Sequence, residues 1–377
     1  MKKVKIVHAA DLHFDTPFND MDEEQRNRNK EELREVFSSI VSFCKEKSVD
    51  ILLLAGDIFD NLTLSKETLY FIENTLGLIE NTRVFISPGN HDPYGSKSFY
   101  KLVNWPKNVH IFKENLEKVY IKELDTNVWG AGFSNKYINK SIIKDFSYYG
   151  NEINIMVLHG ELSSLEDGNE YNPITTSQIA QSNMDYIALG HRHSFSGIMK
   201  EGKTYYAYSG CPQGRGFDET GDKGIIYGYV SKGVVDLNFI KTSKRNYEEV
   251  IVDITGCFNY DSVKEKILSN IDESKRKNNL YKIVLKGEVS EEFNIDENIL
   301  KMKIENDFYY CKVIDKTSIS LNLEEILKGY SVKSIFINKL ISKLNETEDE
   351  DEKEIIKMAI KIGISSLLED EVNMGDY

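Results

Sequence analysis

Five short apolar runs, each leading into a polar loop, constrain the fold of this chain more than any other feature. They are Val4-Lys5-Ile6-Val7, Ile51-Leu52-Leu53-Leu54, Val84-Phe85-Ile86, Ile153-Asn154-Ile155-Met156-Val157-Leu158 and Tyr186-Ile187-Ala188-Leu189. Runs this short and this rich in β-branched residues suit strands covered on both faces. Helical patterns separate the early ones. Glu31 to Lys47 places Leu33, Phe37, Ile40, Val41 and Cys44 at helical spacing, and Ser65 to Glu80 opens on Ser-x-x-Thr and carries Leu69, Ile72, Leu76 and Ile79. Alternating strand and helix predicts an α/β fold, a layered β-sheet sandwich flanked by helices. A glycine-rich loop follows Ser209. It leads into a predicted hairpin, Ile225 to Val230 and Val234 to Phe239, turning at Ser231-Lys232-Gly233.

At 377 residues the chain exceeds one ordinary core. A polar, charged stretch around Lys241 to Glu249 marks the expected boundary. The expected units are residues 1–245, a smaller α+β unit over 246–330, and two amphipathic C-terminal helices within 331–377. The α+β unit is read as strand Val250 to Ile254, helix Ser262 to Lys277 and strand Tyr281 to Lys286. The C-terminal helices, Ile335 to Leu344 and Ile355 to Leu368, flank the acidic run Glu346 to Glu354. No apolar run approaches the ~20 residues of a membrane span. Met1-Lys2-Lys3-Val4 lacks the apolar core and cleavage site of a signal peptide, so a cytoplasmic location is expected. The four cysteines are far apart with no C-x-x-C pair, which excludes a sequence-evident zinc knuckle.

The chemistry sits where the runs end. Asp11-Leu12-His13, Gly56-Asp57, Gly89-Asn90-His91-Asp92, His159-Gly160 and Gly190-His191-Arg192-His193 account for all seven histidines but His8 and His110, which are read as structural. Singly, each motif has a bland reading as a turn or a helix N-cap. Together, at the carboxyl ends of strands, they converge on the edge where α/β sheets bind ligands. Asp, Asn and His without thiolate suit Mn, Fe or Zn better than Ca. Asp11, His13, Asp57, Asn90, His159, His191 and His193 exceed one tetrahedral shell and suit two ions sharing a carboxylate, the arrangement of in-line displacement at phosphorus. Two divalent ions bring about +4, and two carboxylates with a bridging hydroxide offset roughly three, leaving a site complementary to a phosphodiester.

These motifs as a set resemble the calcineurin-like metallophosphoesterases, whose D-x-H, G-D-x-x-D, G-N-H-D, H and G-H-x-H pattern stands here at 11–13, 56–60, 89–92, 159 and 190–193. The opening His8 to Phe18, with Gly210-Cys211-Pro212-Gln213-Gly214-Arg215 and Gly221-Asp222-Lys223-Gly224, is similar to the bacterial DNA repair exonuclease branch (SbcD/YhaO-type). The resemblance implies that Asp11, His13, Asp57 and His193 hold one metal, and that Asp57, Asn90, His159 and His191 hold the other. His91 would be the catalytic non-ligand beside the scissile phosphate, with Asp92 orienting its ring. It further implies Mn2+ as the usual ion, with Fe or Zn as alternatives, a DNA substrate, a Mn-dependent exonuclease or endonuclease activity in DNA repair, and an ABC-type, SMC-like ATPase partner. The unit after residue 250 is similar in kind to the branch's DNA-capping domain. Relatives often carry histidine where this chain has Asp60. The C-terminal helices fit a partner-docking role, although helices of this kind more often pack a core or a homodimer. A phosphoesterase for nucleotides or small diesters, and a non-catalytic scaffold, remain as alternatives. The net charge of −14, without a basic tract, sets a problem for any reading in which the chain holds DNA.

Overall fold

The computed structural model describes residues 2–19, 21–60, 64–165, 168–290, 293–320 and 331–368. Residues 321–330, assigned from sequence to the end of the α+β unit, lie outside the described residues. The chain divides into two compact units, Met1–Asn246 and Tyr247–Tyr377.

The first unit is a sandwich of two six-stranded sheets. One contains β1 (Val4–Ala9), β2 (Ile51–Leu54), β3 (Arg83–Ile86) and β4 (Val109–Ile111), all parallel. The other contains β5 (Glu117–Ile121), β6 (Thr126–Gly130), β7 (Ile153–His159), β8 (Tyr186–Gly190), β9 (Met199–Glu201) and β10 (Thr204–Tyr208), with β6, β7, β8 and β10 parallel. The hairpin β11 (Gly224–Ser231) and β12 (Val234–Lys241) adds to the first sheet through antiparallel pairing of β11 with β1. Its tight turn is Lys232-Gly233, with Gly233 at φ 73° supplying the left-handed backbone such turns require.

Side-chain alternation explains the layering. Ile6, Ile51 and Leu53 from one sheet meet Ile155, Val157 and Ala188 from the other in a single buried core. The intervening Met156, Leu158, Ile187 and Leu189 point outward into a second core. Helix α3 (Thr176–Ser182) joins it through Ile179. Helices α1 (Glu23–Glu46) and α2 (Lys66–Gly77) precede β2 and β3 and begin at the side-chain caps Asp22 and Ser65. The sequence predicts the start of α1 at Glu31, two turns late. Its early buried positions are polar: the Gln25 amide donates to Asn29 at 2.9 Å, which hides them from an apolar periodicity. His8 lies inside the sandwich, as read, but His110 does not. It is half-exposed on β4 and hydrogen-bonds Glu117 at 3.0 Å.

In the second unit β13 (Tyr247–Asp253), β14 (Leu280–Lys286) and β16 (Tyr310–Asp315) run parallel, and β15 (Glu288–Val289) pairs with β17 (Ser318–Ile319). Helices α4 (Tyr260–Asn270), α5 (Glu273–Asn278) and α6 (Glu297–Ile304) lie between the strands in the chain. The single helix expected over 262–277 breaks because Ile271 is extended and Asp272 caps a new start. Helices α7 (Val332–Glu346) and α8 (Glu350–Leu368) pack through Ile337, Ile356, Ile360 and Ile364. Glu350, Asp351 and Glu352 of the acidic run form the first turn of α8, where the helix dipole favours negative charge. Among the described residues, no helix is long and apolar enough to cross a membrane.

Candidate dinuclear metal centre

The predicted residues come together, but at the rim where two sheets meet rather than at the edge of one. Asp11 and His13 follow β1, Asp57 follows β2, and Asn90 and His91 follow β3, all in the first sheet. His159 ends β7 and His191 and His193 follow β8, in the second. Backbone bonds from the Asp11, His13 and Phe14 N–H groups to Gly56, Asp57 and Ile58 carbonyls zip the first two loops together. The cost of this assembly is visible in the backbone: Asp11, His13, Asp57 and His191 all adopt positive φ, at 54°, 45°, 50° and 109°. Strain concentrated this way is typical of functional sites.

Asp57 lies at the middle. Its Oδ2 is 3.7 Å from His13 Nε2 and 3.3 Å from His159 Nε2, and its Oδ1 accepts the His91 N–H at 2.9 Å. Ligand atoms of Asp11, His13 and His193 lie within 4.8 Å of one another, as do those of Asp11, Asp57 and His159. Asn90 Oδ1 joins the second group, 2.9 Å from His159 Nε2. His191 takes part by ring contact, edge-on to His159 at 5.3 Å between centroids and stacked on Tyr171 at 4.9 Å. Gly89 permits the approach of β3's loop, since a Cβ there would lie 2.2 Å from Asp57 Oδ1.

The donor set fits cations. Both ring nitrogens of His13 are buried without a hydrogen-bond partner. His159 Nδ1 donates to the Ala55 carbonyl at 3.0 Å, so its Nε2 is a lone pair aimed at the oxygens of Asn90 and Asp57. Acceptors facing acceptors in a buried site call for positive charge between them. Burial pushes the Asp11 carboxyl up to about 7 and raises that of Asp57. Burial also lowers His13, His159 and His191, the last two to about 4, so they are neutral lone-pair donors at pH 7.

His91 stands apart. Its side chain is 43% exposed and edge-on to His13 at 4.8 Å, and its Nδ1 is 3.3 Å from Asp60 Oδ1. That hydrogen bond raises the imidazole's pKa. Here the structure departs from expectation: the carboxylate facing the His91 ring is Asp60, not Asp92. The buried Asp92 instead accepts from the backbone N–H groups of Ile58 and Gly89 and the Tyr100 hydroxyl, fastening the loops that carry Asp57 and Asn90.

Sequence reading missed a supporting network. Glu219 Oε1 is 2.7 Å from His193 Nδ1, and both carboxylate oxygens accept from Arg215, which reaches Thr16 Oγ1 at 3.5 Å. Thr16 donates to Asp60 at 3.1 Å, so one chain of contacts joins His193 to the partner of His91. Burial opposes the Glu219 charge, but the His193 hydrogen bond and Arg215 outweigh it and hold the carboxyl at about 2. Arg215 stands in a recognised motif. Glu219 belongs to a glycine-rich loop with no local signal, and only folding brings it to His193.

The model of the calcineurin-like phosphoesterase family matches residues 4–195. The uncharacterized metallophosphoesterase YhaO of Bacillus subtilis (strain 168) is 29% identical over 298 residues, covering 76% of this chain and 72% of that protein. Among solved structures, TT1561 of Thermus thermophilus aligns with a TM-score of 0.40 at 11% identity, over 64% of this chain and 99% of that one. GAP50, the anchor in the inner membrane complex of Plasmodium, aligns with a TM-score of 0.37 at 12% identity, over 64% of this chain and 85% of that one.

Proposed function

Since the chain belongs to the calcineurin-like phosphoesterases, a family that hydrolyses phosphoesters with two metal ions, we propose that it is a Mn2+-dependent nuclease acting in DNA repair. The observation that carries the phosphodiesterase reading is the position of Asp57 between His13 and His159, with the half-exposed His91 at the solvent side of the cluster, held by Asp60. Asp11, His13, Asp57 and His193 would hold one ion, and Asp57, Asn90, His159 and His191 the other. Bound there, the ions would polarise a phosphoryl oxygen and offset the negative charge that builds during displacement.

The remaining work falls to the chain's own residues. Asp60 takes His91 Nδ1, which leaves Nε2 for the substrate. From its half-exposed position His91 donates a proton to the leaving oxygen or a hydrogen bond to the phosphate. Glu219 Oε1 and Arg215 Nη2 both meet His193 Nδ1, at 2.7 and 3.1 Å; with Glu219 accepting the Nδ1–H, Nε2 would be the nitrogen left for an ion. Asp92 and Gly89 keep the Asn90 loop against Asp57.

The nuclease assignment is supported by the motifs at 8–18, 210–215 and 221–224, which are similar to the DNA repair exonuclease branch. The same resemblance supports an ABC-type, SMC-like ATPase partner. Exposed Val332 and Ile335 on α7, and Ile355 and Met358 on α8, offer apolar surface for such a partner or a second copy. The −14 charge favours the alternative of a small phosphodiester substrate. With Mn2+, the protein is expected to cleave bis-p-nitrophenyl phosphate and both single- and double-stranded DNA. Rapid turnover of the small diester with intact DNA would overturn the nuclease reading.

A further inference from the structure

The charge problem has a local answer. Residues 93–113 and 131–144 contain no Asp or Glu, in a chain with 61 of them. A hydrogen bond from the Tyr94 N–H to the Phe133 carbonyl, at 2.6 Å, ties the two segments together directly after His91 and Asp92. Lys97, Lys101, Lys113, Lys136 and Lys140 are exposed on them, and none forms an ion pair among the described residues. Lysines elsewhere are commonly neutralised, such as Lys241 by Asp222 and Lys303 by Asp261. Lys107 belongs to the opposite rim, lining a cavity of about 310 Å³ with Asp50 and Glu80.

Aromatic rings interleave with these cations. Lys101 and Lys113 Nζ lie 5.1 and 5.9 Å from the centre of the Tyr94 ring, three residues beyond His91. Lys136 Nζ lies 5.4 Å from the centre of the Tyr137 ring, which is 47% exposed. Tyr137 in turn contacts Tyr171 at 6.1 Å, and Tyr171 stacks on His191. The segments thus carry charge and π-faces beside His91, and Tyr171, on a neighbouring stretch that also bears Glu170, continues the aromatic path to His191. Unpaired cations that follow a backbone, with aromatic faces on which bases can stack, are the recognition chemistry of a single nucleic-acid strand.

We propose that the surface formed by Tyr94, Lys101, Lys113, Lys136, Tyr137 and Lys140 binds the phosphates and a base of a nucleic-acid strand and feeds it to the metal centre. The proposal rests on the nuclease reading. It is tested on the full-length chain in EDTA, by fluorescence anisotropy of a labelled oligodeoxynucleotide across a salt series. Lys101→Glu/Lys113→Glu and Lys136→Glu/Lys140→Glu should each weaken binding at least tenfold. Each should also flatten the slope of log affinity against log salt by roughly one to two, about 0.7 per lost phosphate contact. Tyr137→Ala should weaken strand binding more than it weakens binding of inorganic polyphosphate. In Mn2+, the charge variants should lower strand cleavage at least tenfold relative to bis-p-nitrophenyl phosphate hydrolysis, which also reports folding. Lys45→Glu/Lys122→Glu, at the opposite ends of the strands, is the charge-matched control. Wild-type DNA cleavage with unchanged affinity and slope in both double variants overturns this surface alone. No DNA cleavage or binding by wild type overturns the nuclease reading and the surface with it.

Discussion

His8, completely buried in β1, bridges the sandwich: its Nδ1 meets the Tyr186 hydroxyl at 2.9 Å and its Nε2 the Leu189 carbonyl at 3.1 Å. Burial holds its pKa at about 3 against an ordinary 6.5. The unfolded chain therefore binds a proton below pH 6.5 that the folded chain refuses, and stability falls as pH drops from 6.5 toward 3. At ~1.4 kcal/mol per unit, the ceiling on this loss is ~5 kcal/mol. Thermal melts of metal-free protein across that range should decline more steeply for wild type than for His8→Gln, and parallel curves would refute the assignment. Glu219 makes a second residue-scale prediction. Because Glu219 meets His193 Nδ1 at 2.7 Å and pairs with the buried Arg215, Glu219→Gln should weaken metal binding 10–100-fold by titration calorimetry and also lower the metal-free melting temperature. Unchanged affinity would leave Glu219 with a packing role only. The seven ligand candidates were legible from residue type and from their place after apolar runs. Glu219, and the exchange of Asp60 for Asp92 beside His91, were not, because nothing in a linear sequence says which of two carboxylates turns toward a ring.

The elements that carry the site were legible for the same reason they are stable: β1, β2, β3, β7 and β8 are buried on both faces and read as continuous apolar runs. Strands β4, β5, β6, β9 and β10 escaped. Strands β4 and β9 are only three residues long, and β5, with the pattern Glu117-Lys118-Val119-Tyr120-Ile121, is largely exposed. The buried β6 and β10 are built of Thr, Asn, Trp, Tyr and Gly more than of aliphatic residues. A layered β-sheet sandwich was expected, but without these strands the sequence did not say which ligand loops belong to which of its two sheets. The loop after β3 supplies a test at this scale. Gly89→Ala would press a methyl group onto the Asp57 carboxylate. It should cost most of the bound metal and at least 100-fold in turnover, with circular dichroism unchanged. Full metal content in that variant would mean that the loop yields without disturbing Asp57.

Across the whole molecule, the sandwich serves to bring strand ends from two sheets to one rim, where neither sheet alone supplies enough ligands for a pair of ions. Desolvated carboxylates and neutral imidazoles gathered there are complementary to divalent cations even though the chain as a whole is acidic, so the net charge of −14 constrains how a substrate is held rather than whether the site can work. Seven side chains are expected to hold metal and His91 is not. Metal per chain by inductively coupled plasma analysis, measured beside turnover of bis-p-nitrophenyl phosphate, separates the two roles. His91→Ala should keep nearly full metal and lose turnover, whereas Asp57→Ala should lose both. Equal metal loss in the two variants would contradict the account.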